Sequence, residues 1–237
     1  SIISESFRML MSNVKYFLGE KKSNVILVTS SIKGEGKTLT TVNLSLSFAS
    51  LNKKVLLIGC DLRNPQIHNY IGCNKNLPGL VDYLVDSNFA WKSAIINPFE
   101  KAQSLDVILS GPLPPNPLSL INNGNLEKLI NDAKKIYDYV IIDSAPTLLV
   151  ADTKNITKSC DLLLTIVRAH YTDIDILNHI SKIYKDANTN NAIILNGIGQ
   201  KSSYGYAYGY KYGYGYNYKY SYNYGYGYGY SSDDEKL

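Results

Sequence analysis

The chain has 237 residues, of which 45% are hydrophobic, and carries a formal net charge of +4. Its length and composition fit one globular domain of about 200 residues plus an additional segment. The small net charge gives no support for nucleic-acid binding, so no nucleic-acid partner is expected. The three cysteines form no CxxC pair, which favours a reducing, cytoplasmic setting over a disulfide framework or a zinc site.

Apolar patterns predict alternating helices and strands along the first 200 residues. Apolar residues spaced by three and four positions predict a first helix over 4–18, and short apolar runs predict buried strands. The predicted strands are 24–29, 54–58, 105–109, 139–143, 161–167 and 191–196, and the later helices are 38–50, 80–85, 126–137 and 173–186. This order predicts an α/β doubly wound domain of the P-loop NTPase type, with a mainly parallel sheet and helices on both faces.

A glycine-containing loop joins the first predicted strand to the second predicted helix. Its sequence is Ser31-Ile-Lys-Gly-Glu-Gly-Lys-Thr38, the pattern of a phosphate-binding loop in the strand–loop–helix context that such a loop requires. Gly34 and Gly36 let the backbone N–H groups converge on phosphate oxygens. We expect Lys37 to bridge the β- and γ-phosphates of ATP and the Thr38 hydroxyl to bind Mg²⁺. The alternative is a chance glycine-rich turn.

Two aspartates follow predicted buried strands. Asp61 comes after the run Val-Leu-Leu-Ile-Gly-Cys, and Asp143 ends the run Tyr-Val-Ile-Ile. Asp143 is predicted to orient Mg²⁺, and Asp61 to bind Mg²⁺ or accept a proton from an attacking hydroxyl. A solvated loop aspartate or a helix cap is the alternative for Asp61.

The C-terminal segment 201–237 contains a tyrosine ladder. Tyrosine occupies every second position over 27 residues, with glycine at seven of the thirteen positions between. Strands usually hold about 3–10 residues, and glycine makes ordering costly in backbone entropy. We therefore predict a disordered tail of phospho-acceptors. They are Tyr204, Tyr206, Tyr208, Tyr210, Tyr212, Tyr214, Tyr216, Tyr218, Tyr220, Tyr222, Tyr224, Tyr226, Tyr228 and Tyr230.

In combination, these segments resemble the bacterial tyrosine kinases that accompany capsule and exopolysaccharide export, and above all the cytoplasmic kinase domain of a polysaccharide co-polymerase. The resemblance runs from about Glu5 to Gly197 and ends in the tyrosine cluster. The family's Walker A corresponds to 31–38, its second Walker motif to 55–63 and its Walker B to 140–143. The loop 111–117, Gly-Pro-Leu-Pro-Pro-Asn-Pro, also resembles a family segment.

The resemblance implies an ATP- and Mg²⁺-dependent tyrosine kinase, with domain 1–200, that phosphorylates its own tail in trans within an oligomer or ring. It assigns Lys37, Asp61 and Asp143 to catalysis and Thr38, Asp61 and Asp143 to the metal. The implied ATP-binding residues are Lys33, Gly34, Glu35, Gly36, Lys37, Thr38 and Leu39. The implied partners are a membrane co-polymerase segment or activator and a tyrosine phosphatase. The implied location is the cytoplasmic side of the bacterial inner membrane, with the membrane spans in a missing N-terminal segment or a partner.

Four positions depart from the family pattern. Ser31 stands where the first glycine or alanine of Walker A is usual, and Gly59 where the second Walker motif has its first acid. In the N-terminal assembly motif Glu-x-x-Arg-x-x-Arg, Glu5 and Arg8 match but Met11 replaces the last arginine. We still assign Glu5 and Arg8 to oligomerisation; packing of this helix on its own domain is the alternative.

Lys33 is the fourth departure, because many of these kinases have proline there. It resembles the signature lysine of MinD/ParA-like ATPases, which keeps open an ATPase switch without kinase activity; a solvated loop lysine is equally compatible. A second alternative treats the tail as an adhesive or structural module, since aromatic low-complexity tracts self-associate.

Overall fold

The computed structural model describes residues 2–86, 88–146, 156–185 and 189–198. The predicted tail, 201–237, with all of its acceptor tyrosines, lies outside the described residues. The strands are β1 (Asn24–Ser30), β2 (Val55–Cys60), β3 (Ile95–Ile96), β4 (Leu105–Ile108), β5 (Tyr139–Ser144), β6 (Leu162–Arg168) and β7 (Asn190–Asn196). The α-helices are α1 (Ile2–Leu18), α2 (Lys37–Ala49), α3 (Ile67–Ile71), α4 (Leu80–Val85), α5 (Pro117–Ile121), α6 (Asn125–Ala133) and α7 (Ile174–Lys185), with a 3₁₀ turn at Trp91–Ala94.

The strands form one sheet in the order β3-β4-β2-β5-β1-β6-β7. Every neighbouring pair is parallel except β3 with β4, which is antiparallel. The predicted mainly parallel doubly wound sheet is thus confirmed. Strands β1, β2 and β5 are buried along their whole length, which explains the uninterrupted apolar run in each of them.

Helices cover both faces of the sheet, as predicted. One apolar cluster joins α1, α2 and α3 to the sheet, and it includes a stack of the Phe48 and Tyr139 rings with centroids 3.9 Å apart. The other cluster joins α4, α6 and α7 to the opposite face. Met11 and Val14 of α1 are buried in the first cluster. The first helix therefore packs on its own domain.

The elements that the sequence patterns did not predict are short. The helices α3 and α5 have five residues each, and β3 has two. Helix α5 begins at Pro117, directly after Asn116, whose side chain accepts a hydrogen bond from the Ser119 N–H. One helical turn is too short to show a 3.6-residue apolar period.

Asp161 joins the start of β6 to the start of β1. Its carboxylate accepts hydrogen bonds from Lys21 Nζ at 2.7 Å and from the Val25 N–H at 2.8 Å. Burial alone would raise the pKa of Asp161, but these two donors and the charges of Lys21 and Lys134 outweigh it and hold the pKa below its ordinary value. The contact therefore stabilises the fold only while Asp161 is ionised.

No helix in the described ranges is both long and apolar enough to cross a membrane.

Candidate active site

The site lies at the carboxyl ends of the central strands. The glycine loop follows β1, Asp61 follows β2, and Asp143 is the fifth residue of β5. Val28 of β1 and Gly59 of β2 are both paired in register with Asp143. Ligands of open α/β sheets bind in the crevice outside the carboxyl ends of the strands. The topology therefore brings together three segments that are far apart in the sequence.

Two glycines give the loop its shape. Gly34 has φ +93° and Gly36 has φ +95°, a left-handed conformation that residues with a Cβ rarely adopt. At Gly34 an added Cβ would lie 2.9 Å from the Tyr171 hydroxyl, and at Gly36 it would collide with the Asn196 side-chain amide. Both the backbone angle and the space require glycine. The loop then leads directly into α2, whose N-terminus favours an anion.

Lys37 is held between two carboxylates. Its Nζ lies 2.8 Å from Asp143 Oδ1 and 3.5 Å from Asp61 Oδ2, and all three residues are at most 7% exposed. The Thr38 hydroxyl donates to Asp143 Oδ2 at 3.0 Å, and the Thr41 hydroxyl donates to Asp143 Oδ1 at 3.1 Å. One cation between two carboxylates leaves a formal charge of −1 at the centre of the site. A divalent cation would reverse that sign, as polyphosphate binding requires.

A cavity of about 260 Å³ opens over the loop. The predicted site residues that line it are Lys33, Gly34, Gly36, Lys37, Thr38 and Asp61. A second cavity, of about 430 Å³, adjoins the first, and Arg63, Asn64 and Gln66 line both. Asp61 lines only the first cavity, but its Oδ1 accepts a hydrogen bond from the N–H of Asn64, which lines both.

The side chains of Glu35 and Leu39, both assigned to ATP binding from the sequence, lie elsewhere. Leu39 is 39% exposed on α2, outside the cavity. The fully buried Glu35 carboxylate accepts hydrogen bonds from the Ser31 and Thr172 hydroxyls and from the Ile32 N–H. Ser31, one of the departures, thus serves as a donor to a carboxylate inside the loop. Only the backbone of Glu35 remains available for a nucleotide.

Two of the other departures, Gly59 and Met11, have local causes. Ser110 occupies the space beside Gly59: an added Cβ would lie 2.9 Å from Ser110 Oγ and 3.1 Å from its backbone nitrogen. Met11 is buried in the core, a position unsuited to an unpaired arginine. Glu5 and Arg8 pair with each other at 3.3 Å on the exposed side of α1.

Sequence reasoning missed the residues that hold the loop from the β6–β7 side. Tyr171, Arg168 and Asn196 each donate to a loop carbonyl. The segment containing Arg168 and Tyr171 matches no motif. Asn196 ends the last predicted strand. Because parallel strands have their carboxyl ends on one edge of the sheet, the sequence could have placed Asn196 near the loop.

Comparison with known proteins places this site in a family. A family model described as an AAA domain matches residues 23–193. Tyrosine-protein kinase YwqD of Bacillus subtilis is 34% identical over 173 residues, covering 73% of this chain and 71% of the relative. Tyrosine-protein kinase CpsD of Streptococcus agalactiae serotype III is 34% identical over 165 residues, covering 70% of this chain and 69% of the relative. A Klebsiella pneumoniae protein named as a tyrosine-protein kinase in the cps region is 33% identical over 84% of this chain, which spans only 27% of that protein.

Solved structures agree with the sequence relatives. The kinase domain of Escherichia coli tyrosine kinase ETK has a TM-score of 0.78 and 29% identity, covering 88% of this chain and 81% of that chain. The chimerical protein CapA2B2 has a TM-score of 0.75 and 28% identity, covering 82% and 84%. MinD of Pyrococcus horikoshii, solved with Mg-ADP, has a TM-score of 0.61 and 21% identity, covering 76% and 72%, and shows the fold alone. The resemblance predicted from the sequence is confirmed, and the chain belongs to the bacterial tyrosine kinase family.

Proposed function

We propose that this chain transfers the γ-phosphoryl group of ATP to tyrosine hydroxyls, and that its acceptors are tyrosines of the C-terminal ladder. The observation that carries the proposal is the pair of carboxylates around Lys37 at the end of the glycine loop. Family membership supports the reaction class. The ladder supports the choice of acceptor, because the same chain that carries the phosphoryl-transfer site carries fourteen closely spaced tyrosines.

The residues present fit ATP and Mg²⁺. Lys37 and Thr38 line the cavity over the loop, where Lys37 would neutralise the β- and γ-phosphates. Thr38 and Asp143 would hold Mg²⁺, which is usually bound through one or two carboxylates together with substrate phosphates. When bound, the ion supplies charge neutralisation at the phosphates. Such a site works by positioning and electrostatics.

Asp61 is assigned to the acceptor tyrosine. Its Oδ1 accepts a hydrogen bond at 3.0 Å from the N–H of Asn64, a residue that lines both cavities. The tyrosine oxygen bonds to the γ-phosphorus, the bond to the oxygen bridging the β- and γ-phosphorus atoms breaks, and ADP leaves. Asp61 accepts or guides the hydroxyl proton. Because Gly59 replaces the family's other acid, that task falls on Asp61 alone.

The acceptor tail is proposed to serve a neighbouring copy. A coil of some thirty residues spans roughly 30 Å, since its end-to-end distance scales as about 5–6 Å × √n. This reach makes transfer in trans geometrically feasible within an oligomer. Glu5 and Arg8 are proposed to contribute to that assembly by exchanging their exposed intrahelical pair for contacts with another copy.

The wider setting is also a proposal. The Klebsiella relative is much longer than this chain, as expected if the kinase works beside a further segment, in the same chain or in a partner. We propose that this partner is a membrane co-polymerase segment or activator, and that the kinase acts on the cytoplasmic side of the membrane in polysaccharide export. A tyrosine phosphatase would return the tail to its unmodified state.

A mixing experiment tests both the activity and its trans character. Unlabelled wild-type chain is incubated with Mg-ATP and isotope-labelled Lys37→Met chain, and tail peptides are read by mass spectrometry. Phosphate on labelled tail peptides, with none when the Lys37→Met chain is incubated alone, is the expected result. Phosphate on unlabelled tails only would show transfer in cis.

The exposed Lys33 beside the cavity favours a second candidate, an ATPase switch. Free phosphate released without any phosphotyrosine, even after the membrane partner's cytoplasmic segment is added, would support the switch and overturn the kinase proposal.

A further inference from the structure

Three consecutive peptide carbonyls of the glycine loop each accept a hydrogen bond from a side chain on the β6–β7 side of the sheet. The three bonds are Tyr171 Oη to Lys33 O (3.0 Å), Arg168 Nη1 to Gly34 O (3.2 Å) and Asn196 Nδ2 to Glu35 O (2.9 Å). We call these three donors the carbonyl clamp. Its members lie more than 130 positions along the chain from the loop.

The clamp fixes the direction of the loop N–H groups. In a planar trans peptide the carbonyl and the N–H of the following residue point in opposite directions. Holding the carbonyls of residues 33, 34 and 35 on the clamp side therefore turns the N–H groups of Gly34, Glu35 and Gly36 the other way. Backbone N–H groups that converge in this manner form the phosphate cradle of a P-loop.

The clamp is itself braced. The Arg168 guanidinium lies 5.2 Å from the centroid of the Tyr171 ring, a cation–π contact that holds both donors in one turn. The Thr172 hydroxyl accepts the Arg168 N–H at 2.8 Å and donates to the Glu35 carboxylate. His170, at φ +59°, lets the chain turn sharply between them. The turn and the loop are thus joined through both backbone and side-chain atoms.

We propose that Arg168, Tyr171 and Asn196 are positioning residues for nucleotide phosphates. They act through the loop backbone: they align its N–H groups before ATP arrives, so that binding does not have to order them. This inference rests on the proposed use of ATP. It predicts that weakening the clamp reduces nucleotide affinity, with little effect on the rate once the site is saturated.

Two near-isosteric substitutions in the full chain test this. Tyr171→Phe removes one hydroxyl donor from a residue that is 50% exposed, so the fold should be unaffected. Its Kd for Mg-ADP should rise roughly fivefold, the effect of one lost hydrogen bond. Asn196→Asp replaces the amide donor by an oxygen facing the Glu35 carbonyl, and its Kd should rise by more than tenfold. For both variants KM for ATP should rise with Kd, while kcat at saturating ATP changes less than twofold.

The chain offers matched controls. Tyr83→Phe removes a hydroxyl that donates to the Asn125 carbonyl at 3.2 Å, remote from the loop. Asn191→Asp changes an exposed asparagine near the other end of β7. Both controls should bind Mg-ADP like the wild type, and the melting temperatures of all variants without nucleotide show whether any lost affinity reflects unfolding.

Wild-type affinity in both clamp variants, or a fall in kcat with KM unchanged, would overturn the proposal. Calorimetric binding of Mg-ADP needs no phosphotyrosine, so the clamp is tested even if the kinase proposal fails. Conversely, phosphorylated tails together with unaltered affinity in the clamp variants would refute the clamp alone.

Discussion

Substitution of Gly59 tests whether the missing acid of the second Walker motif can be restored. Gly59 lies in the buried strand β2, and an added Cβ would lie 2.9 Å from Ser110 Oγ, 3.1 Å from Ser110 N and 3.2 Å from Ile67 Cδ1. All three contacts are tighter than ordinary van der Waals packing, and one involves backbone. Ser110 Oγ also donates to the Gly59 carbonyl at 2.8 Å, which holds the two strand ends together.

Overpacking of this kind costs about 1–3 kcal/mol of folding free energy. For a domain of about 200 residues, each kcal/mol corresponds to about 2–4 °C in Tm. Gly59→Ala should therefore lower Tm by about 2–12 °C. Gly59→Asp should lower it further, because it adds a third carboxylate to a buried region where Lys37 already serves Asp61 and Asp143.

The assay is thermal unfolding without nucleotide, with tail phosphorylation measured in parallel. Ser110→Ala removes the closest clashing atom, so Gly59→Ala/Ser110→Ala should recover part of the lost Tm, giving a coupling energy of at least about 0.5 kcal/mol. A Gly59→Asp chain that melts at the wild-type temperature and phosphorylates its tail faster would refute the reasoning, because the acid would then fit without displacing Ser110.

Three further predictions concern single contacts. Asp143→Asn should raise the Kd of Mg-ADP at least tenfold, because it removes the carboxylate that contacts Lys37 and that is proposed to hold Mg²⁺. The magnesium-dependent gain in affinity should disappear when the variant is titrated with and without Mg²⁺, and its survival would contradict the proposal. Ser31→Ala should lower Tm by about 2–12 °C, because leaving the buried Glu35 carboxylate without this hydrogen-bond donor costs about 1–3 kcal/mol of folding free energy. An unchanged melting curve would show that Glu35 does not need the Ser31 hydroxyl. Asp161→Asn should be less stable than the wild type at neutral pH. Because the folded-state pKa of Asp161 is lowered, its contribution is complete above the unfolded value near about 4 and disappears as pH falls through the folded value. A stability difference between variant and wild type that does not shrink as the pH is lowered below about 4 would contradict the assignment.

The sequence predicted the centre of the sheet well because the strands β1, β2 and β5 are buried along their whole length. The middle of β1, residues 25–28, is an unbroken apolar run bounded by polar residues, and such a run is easy to recognise. That the glycine loop, Asp61 and Asp143 lie close together was also predictable, because parallel strands place their carboxyl ends on one edge of the sheet. The proximity of these three segments follows from the sheet topology alone.

Other features depend on how side chains pack, which the spacing of apolar residues along the sequence does not reveal. The hydrogen bond from Ser31 to Glu35 and the contact of Ser110 with Gly59 are visible only once the loops are folded. Arg168 and Tyr171 lie in a turn without a repeating pattern, so their distance from the loop in sequence concealed their contact in space. Short helices such as α3 were missed because a single turn carries no period.

The last bond of the clamp has a consequence for the order of events during synthesis. Asn196 and Glu35, which it joins, are 161 residues apart. At about 5–20 residues per second, a ribosome needs about 8–30 s to make the intervening chain. During that interval the phosphate loop is complete in sequence but lacks the last of its three clamp donors. A nascent chain therefore cannot acquire the affinity proposed for the clamped loop before β7 has been added. The proposed positioning of the loop thus depends on β7, the last strand that the structure describes before the tyrosine ladder in the sequence.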